Sequence, residues 1–112
     1  MNMLNFKLIT NKEEQINENI KYFINNDNIN FKIGNTLYKY DLTNDILIKT
    51  DDNLSLTIDP NNNIIYIKLM ENGLEFNMSM ESSKITKKAG EIIIKYTYFG
   101  DELTENEIYI KY

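Results

Sequence analysis

The sequence predicts an all-β protein, an antiparallel meander closed into a small barrel or curled into a strongly bent sheet. Apolar residues alternate with polar ones in short runs along most of the chain. A side-chain period of two places each apolar set on one face of a strand. Clusters of Asn, Asp and Gly separate the runs, and these residues favour tight turns. The clearest case is residues 64–81, where Leu74, Phe76, Met78 and Met80 alternate with Glu75, Asn77, Ser79 and Glu81. Residues 64–70 supply the preceding strand, and Glu71-Asn72-Gly73 supplies a hairpin turn. All four apolar groups are expected to point inward, each of Leu74, Phe76 and Met78 contributing roughly 1.5–3 kcal/mol if fully buried.

Taken in order, Leu4, Phe6 and Leu8 mark a first strand. Residues 10–24 are open between two readings. Thr10 with Glu13 fits a helical capping box, and Ile16, Ile20, Phe23 and Ile24 fit a helical stripe. Ile16, Ile20, Tyr22 and Ile24 also fit an alternating strand, and Asn17 and Asn19 are poor helix formers. The alternative fold is therefore α+β, with one N-terminal helix around residues 11–24. Further strands follow at Ile29-Phe31-Ile33, at 37–42 with Tyr38 and Tyr40 on one face, at 46–49, and at Leu54-Leu56-Ile58. Residues 81–90, with Ile85 as the one large apolar group, read as the longest loop. Ile92, Ile94, Tyr96 and Tyr98 mark a strong strand, residues 100–106 a turn, and Ile108, Ile110 and Tyr112 a last strand.

A chain of 112 residues with 42% apolar and 12% aromatic content suits one domain spanning 1–112 and argues against disorder. No apolar run approaches the 18 or so residues of a membrane span, and residues 1–10 lack the pattern of a signal peptide. A cytoplasmic location without a membrane partner is the expectation. The chain contains no His, Cys, Trp, Arg or Val. Imidazole and thiolate metal sites are thereby excluded, as are Ser-His and Cys-His nucleophilic machinery. No cofactor and no metal site is expected. Lysine is the only basic residue, so bidentate guanidinium contacts to phosphate or guanine cannot form. The net charge of −5 further argues against direct nucleic-acid binding. Abundant Ile, Asn, Lys and Tyr beside absent Val and Arg read as the imprint of an AT-rich genome.

In this order, several segments resemble the YwiB-like β-barrel family of bacterial proteins, a calycin-type, lipocalin-shaped group without an established activity. The resembling stretches are NIKYFI at 19–24, INFKIGNTLYKY at 29–40, LTI at 56–58, IIYIKLMENGLEFNMSME at 64–81, GEIIIKYTYF at 90–99 and ENEIYIKY at 105–112. The resemblance implies a calycin-like barrel, tips residues 19–24 toward strand, and supplies no catalytic residue. After the stretch matching Met80, the family pattern carries further strands where this chain has only residues 81–90.

Two sets of residues remain as candidate sites. Phe31, Tyr38, Tyr40, Phe76, Tyr96 and Tyr98 could share one interior, as core or as the lining of a pocket for an apolar ligand. Asp101, Glu102, Glu105 and Glu107 concentrate negative charge toward the C-terminal end, where a last strand at a sheet edge would offer unpaired backbone groups. The expected work is non-enzymatic binding, foremost of another protein through sheet faces or an edge. A calycin-like binder of a small apolar ligand is one alternative. The other is an acidic inhibitor or immunity-type protein covering a basic nucleic-acid-binding site.

Overall fold

The computed structural model describes residues 2–112, and its regular structure is antiparallel β apart from one short 3-10 turn, Pro60–Asn62. The strands are β1 (Met3–Thr10), β2 (Glu13–Asn25), β3 (Asn28–Ile33), β4 (Thr36–Asp41), β5 (Ile46–Thr50) and β6 (Leu54–Asp59). After the 3-10 turn come β7 (Ile64–Leu69), β8 (Glu75–Ser79), β9 (Ser82–Lys88), β10 (Glu91–Phe99) and β11 (Leu103–Lys111). They form one 11-stranded sheet in the order β8-β7-β6-β5-β4-β3-β2-β1-β11-β10-β9. No helix among the described residues is long and apolar enough to cross a membrane.

β2 turns the sheet on itself. Its first part, up to Lys21, pairs with β1, and its last residues, Tyr22 to Asn25, pair with β3. The alternative helix at 11–24 is absent because this stretch is committed to pairing. Asn11 and Lys12, both at positive φ (50° and 68°), close the β1–β2 hairpin. The Asn5 side-chain amide donates to Asn17 Oδ1 (3.0 Å) and Asn19 Oδ1 (3.1 Å) on the outer face. The asparagines that weaken a helix thus serve as cross-strand partners.

The curl produces two facing layers, β9-β10-β11-β1 with the start of β2, and the end of β2 through β8. Between them lie Leu4, Phe6, Ile29, Phe31, Tyr38, Tyr40, Leu47, Ile58, Ile65, Met80, Ile92, Ile94, Tyr96, Ile108 and Ile110, all buried. At the far corner no ladder joins β8 to β9. The chain itself crosses there, with Met80 N–H donating to the Asn63 carbonyl (2.7 Å) and Glu81 N–H to the Thr97 carbonyl (2.8 Å). Ser83 Oγ seats β9 on the 3-10 turn, 2.7 Å from the Pro60 carbonyl. At one end of the barrel, Lys87 reaches across from β9 to the Leu42 carbonyl (3.0 Å) and Asp45 (3.0 Å). The sheet is therefore a curled half-barrel stitched at its open side by side chains and single backbone bonds.

Three expectations need correction. Residues 100–106 are not all turn, since residues 103–106 open β11 and pair with β10 from Phe99↔Leu103. Residues 81–90 are not a long loop, since β9 occupies most of them and pairs with β10 from Lys88↔Glu91 to Ser82↔Thr97. In the central hairpin, Gly73 does take positive φ (70°) in the turn, but the four apolar groups do not go inward together. Met80 is buried and Met78 packs against the core, whereas Phe76 is 50% exposed and Leu74, outside β8, is 59% exposed. Phe76 lies opposite Ile67 and so on the inner face. Alternation fixed its face, but no strand of the other layer covers that end of β8.

Candidate binding site at the barrel mouth

The inner faces of the two layers diverge at the end opposite Lys87 and leave a cavity of about 220 Å³. One wall is the cross-strand row Tyr38–Lys49–Leu56–Ile67, on β4 to β7, with Leu47, Ile58, Ile65 and Met78 beneath. The other wall is Phe6 and Leu8 on β1, Tyr96 and Tyr98 on β10, and Asn106 and Ile108 on β11. The wall forms because β-branched and aromatic residues at alternate positions of successive strands meet side by side on one face. Asn106, buried among them, is held by the Thr10 hydroxyl at 2.8 Å.

Lys49 is the single charged residue in this lining. Its Nζ lies 5.9 Å from the Tyr38 ring centroid, within cation–π range. The ion pairs among the described residues are Lys87–Asp45 and Lys95–Glu107, so no carboxylate stands within 4 Å of Lys49. Asp51, two residues on, is occupied by the backbone N–H groups of Asn53 (2.8 Å) and Leu54 (3.0 Å). Those bonds, Leu54 foremost, hold its carboxyl below the usual range, with a smaller contribution from Lys49. The tyrosine hydroxyls that find protein acceptors are Tyr40, to Asp45 (3.0 Å), and Tyr109, to Glu107 (2.8 Å). Those of Tyr38, Tyr96 and Tyr98 make no such bond among the described residues. Burial pushes the Tyr38 and Tyr96 phenols up, with Asp51 adding at Tyr38 and Tyr98 adding at Tyr96.

The six aromatic candidates thus separate. Tyr38, Tyr96 and Tyr98 line the cavity. Phe31 is packed behind it, stacked on Tyr38 at 4.9 Å and tilted against Phe6 at 5.2 Å. Tyr40 is fully buried at the other end of the barrel, and Phe76 projects beyond the mouth. The acidic candidates do not form one cluster. Asp101 and Glu102 lie exposed in the β10–β11 turn, while Glu105 and Glu107 lie on the outer face of β11. Glu107 already takes Tyr109 and Lys95 (3.5 Å). The expectation of a C-terminal edge strand is overturned, because β11 is paired on both sides, with β1 and β10. Its backbone groups are spent in those ladders.

Lys49 was not singled out by sequence. The signal was present in Leu47-Ile48-Lys49, since an inward Leu47 puts Lys49 on the same side, but the row joining it to Tyr38 and Leu56 required the register. Three larger hollows, about 340, 400 and 510 Å³, lie elsewhere among the described residues. The largest is on the outer face, lined by Phe23, Leu37 and Ile48 with Lys21, Lys32 and Lys39, and by no acid.

Fold and site together define a curled antiparallel β-barrel protein with an apolar pocket at its mouth. Among solved structures, the chain is similar to the ywiB protein from Bacillus subtilis, at 12% identity over 97% of this chain and 89% of that chain, with a TM-score of 0.44. The fold of this chain rests on its own ladders. No protein-family model matches the chain, and no curated protein matches it.

Proposed function

We infer that the protein is a non-enzymatic binder of a small ligand whose apolar part enters the barrel mouth. The observation that carries this reading is the cavity of about 220 Å³, walled by apolar groups from both layers. An apolar void of about 150 Å³ is enough to hold benzene, whereas drug-sized pockets begin near 300 Å³. A group somewhat larger than benzene fits. Titration with indole, followed by backbone amide shifts, is expected to move Tyr96, Tyr98 and Ile67 first. Leu56→Trp, which fills the cavity, is expected to abolish those shifts while the fold persists. Saturating indole without shifts at these positions would overturn the reading.

A second reading, docking of another protein, is favoured by the outer face. Phe23 (62% exposed) and Leu37 (56% exposed) stand among Lys21, Lys32 and Lys39, an apolar patch with a basic rim on a chain of net charge −5. Its complement is an acidic surface bearing an apolar knob. Phe23→Ser with Leu37→Ser is expected to leave melting within a few degrees and to release a partner captured by the parent. Retention of that partner would remove this face.

A further inference from the structure

We propose that the ligand of the mouth cavity is an anionic amphiphile, its apolar part between the two layers and its carboxylate at Lys49. This rests on the cavity binding a ligand at all, and goes beyond it by naming the head group. Lys49 lies on the inner face, in register between Tyr38 and Leu56, where strand alternation would place an apolar residue. An ammonium against an apolar wall loses part of its hydration and gains most from an opposite charge in direct contact. The protein supplies none within 4 Å among the described residues. Asp51 is the nearby acid, and its oxygens are directed to backbone donors in the β5–β6 turn. No Asp or Glu lines the cavity. Asp51 acts on both Lys49 and Tyr38 and opposes an incoming carboxylate, so the attraction comes from direct contact with the Lys49 ammonium. The remaining negative charge of the chain is screened over about 8 Å at physiological salt.

The phenols complete the recognition. Tyr38 and Tyr96 line the cavity, and their hydroxyls, which reach solvent, have no protein acceptor among the described residues. A carboxylate accepts from O–H and N–H donors and offers about four lone-pair sites, enough for Lys49 together with a phenol. An amine would place like charge beside Lys49. An alcohol would leave the ammonium unpaired. The apolar stem of Lys49 also covers the wall, so Lys49→Met, which keeps the stem and removes the charge, separates the two roles.

The test uses a matched series on the whole chain: 4-phenylbutyrate, 4-phenyl-1-butanol and 4-phenylbutylamine, measured by calorimetry and by amide shifts at Tyr96 and Tyr98. The parent is expected to bind the acid at least about tenfold more tightly than the alcohol, the amount a charge-assisted hydrogen bond provides. The amine is expected to bind most weakly. Lys49→Met is expected to weaken the acid by about tenfold and to leave the alcohol unchanged within about threefold. If the alcohol binds as tightly as the acid, or the variant keeps the parent's preference, the anionic head is overturned while the apolar cavity stands. If the amine binds more tightly than the acid, the head-group assignment is overturned in the same way. If no member of the series binds, the cavity reading falls and this proposal with it.

Discussion

Phe6→Ala is expected to lower the unfolding free energy by about 3–5 kcal/mol, as truncation of a buried aromatic does. Phe6 is 1% exposed, and its ring sits 5.2 Å from Phe31 and 4.8 Å from Tyr38 across the two layers. Around Phe6 the layers meet through side chains, so the lost ring leaves a void that neither backbone can close. Against a usual total of about 5–15 kcal/mol, the loss brings the protein near its unfolding threshold. Phe76→Ala, at the uncovered end of β8, is expected to cost about 1 kcal/mol or less. Urea midpoints of the two variants decide it. Equal shifts would mean that the contact between layers is not where stability resides.

Alkaline pH is expected to unfold the protein over a narrow range beginning near pH 10, where an unperturbed phenol titrates. Tyr40 is held protonated well above that value, first by burial and then by its hydrogen bond to Asp45. Tyr96 is raised by burial, with Tyr98 adding, and Tyr38 shifts the same way. Above pH 10 the unfolded chain gives up protons that the folded chain keeps. The unfolded state then binds fewer protons, and stability falls as pH rises. The contribution is complete below pH 10 and is lost on the way up. Each such phenol removes about 1.4 kcal/mol per pH unit, so Tyr40 and Tyr96 together remove about 3 kcal/mol by pH 11. Urea midpoints from pH 8 to 11.5 measure the slope, and Tyr40→Phe should reduce it by about half. A flat profile to pH 11 would show that these phenols ionise in place.

Most strands were legible because alternation is a local signal, and it marked β1, β3, β4, β6 and β10, but only the second half of β11, whose residues 103–106 read as turn. β9 was not, for a physical reason. Its inner face presents Ser83, Ile85 and Lys87, and two of these bond to the 3-10 turn and to Asp45 instead of packing in the core. An edge strand fastened by polar contacts carries no apolar period. β2 could be read two ways until its partner strands were known. Phe76 shows the opposite failure, since its face was correct and its cover was not. The pocket was half legible: tyrosines at alternate positions pointed to a shared interior, but which of them meet depends on where the layers part. Lys49 needed the register, because a lysine in a short strand looks like any solvent-facing one.

One ladder sets how the chain must be assembled as it is made. Every pairing but β1–β11 joins strands adjacent in sequence. Strands β1 to β8 can therefore pair in turn as they leave the ribosome, but β1 has one edge unpaired until β11 has been synthesised. During that interval Leu4, Phe6 and Leu8 lie on an incomplete sheet whose free edge can recruit a like strand from another chain. The β1–β2 hairpin carries Lys7 and Lys12 and the acids Glu13, Glu14 and Glu18. Such charges keep an open edge from joining its copies. Chains truncated within β9–β11 retain that edge permanently, and would enter aggregates through the strand that β11 otherwise covers.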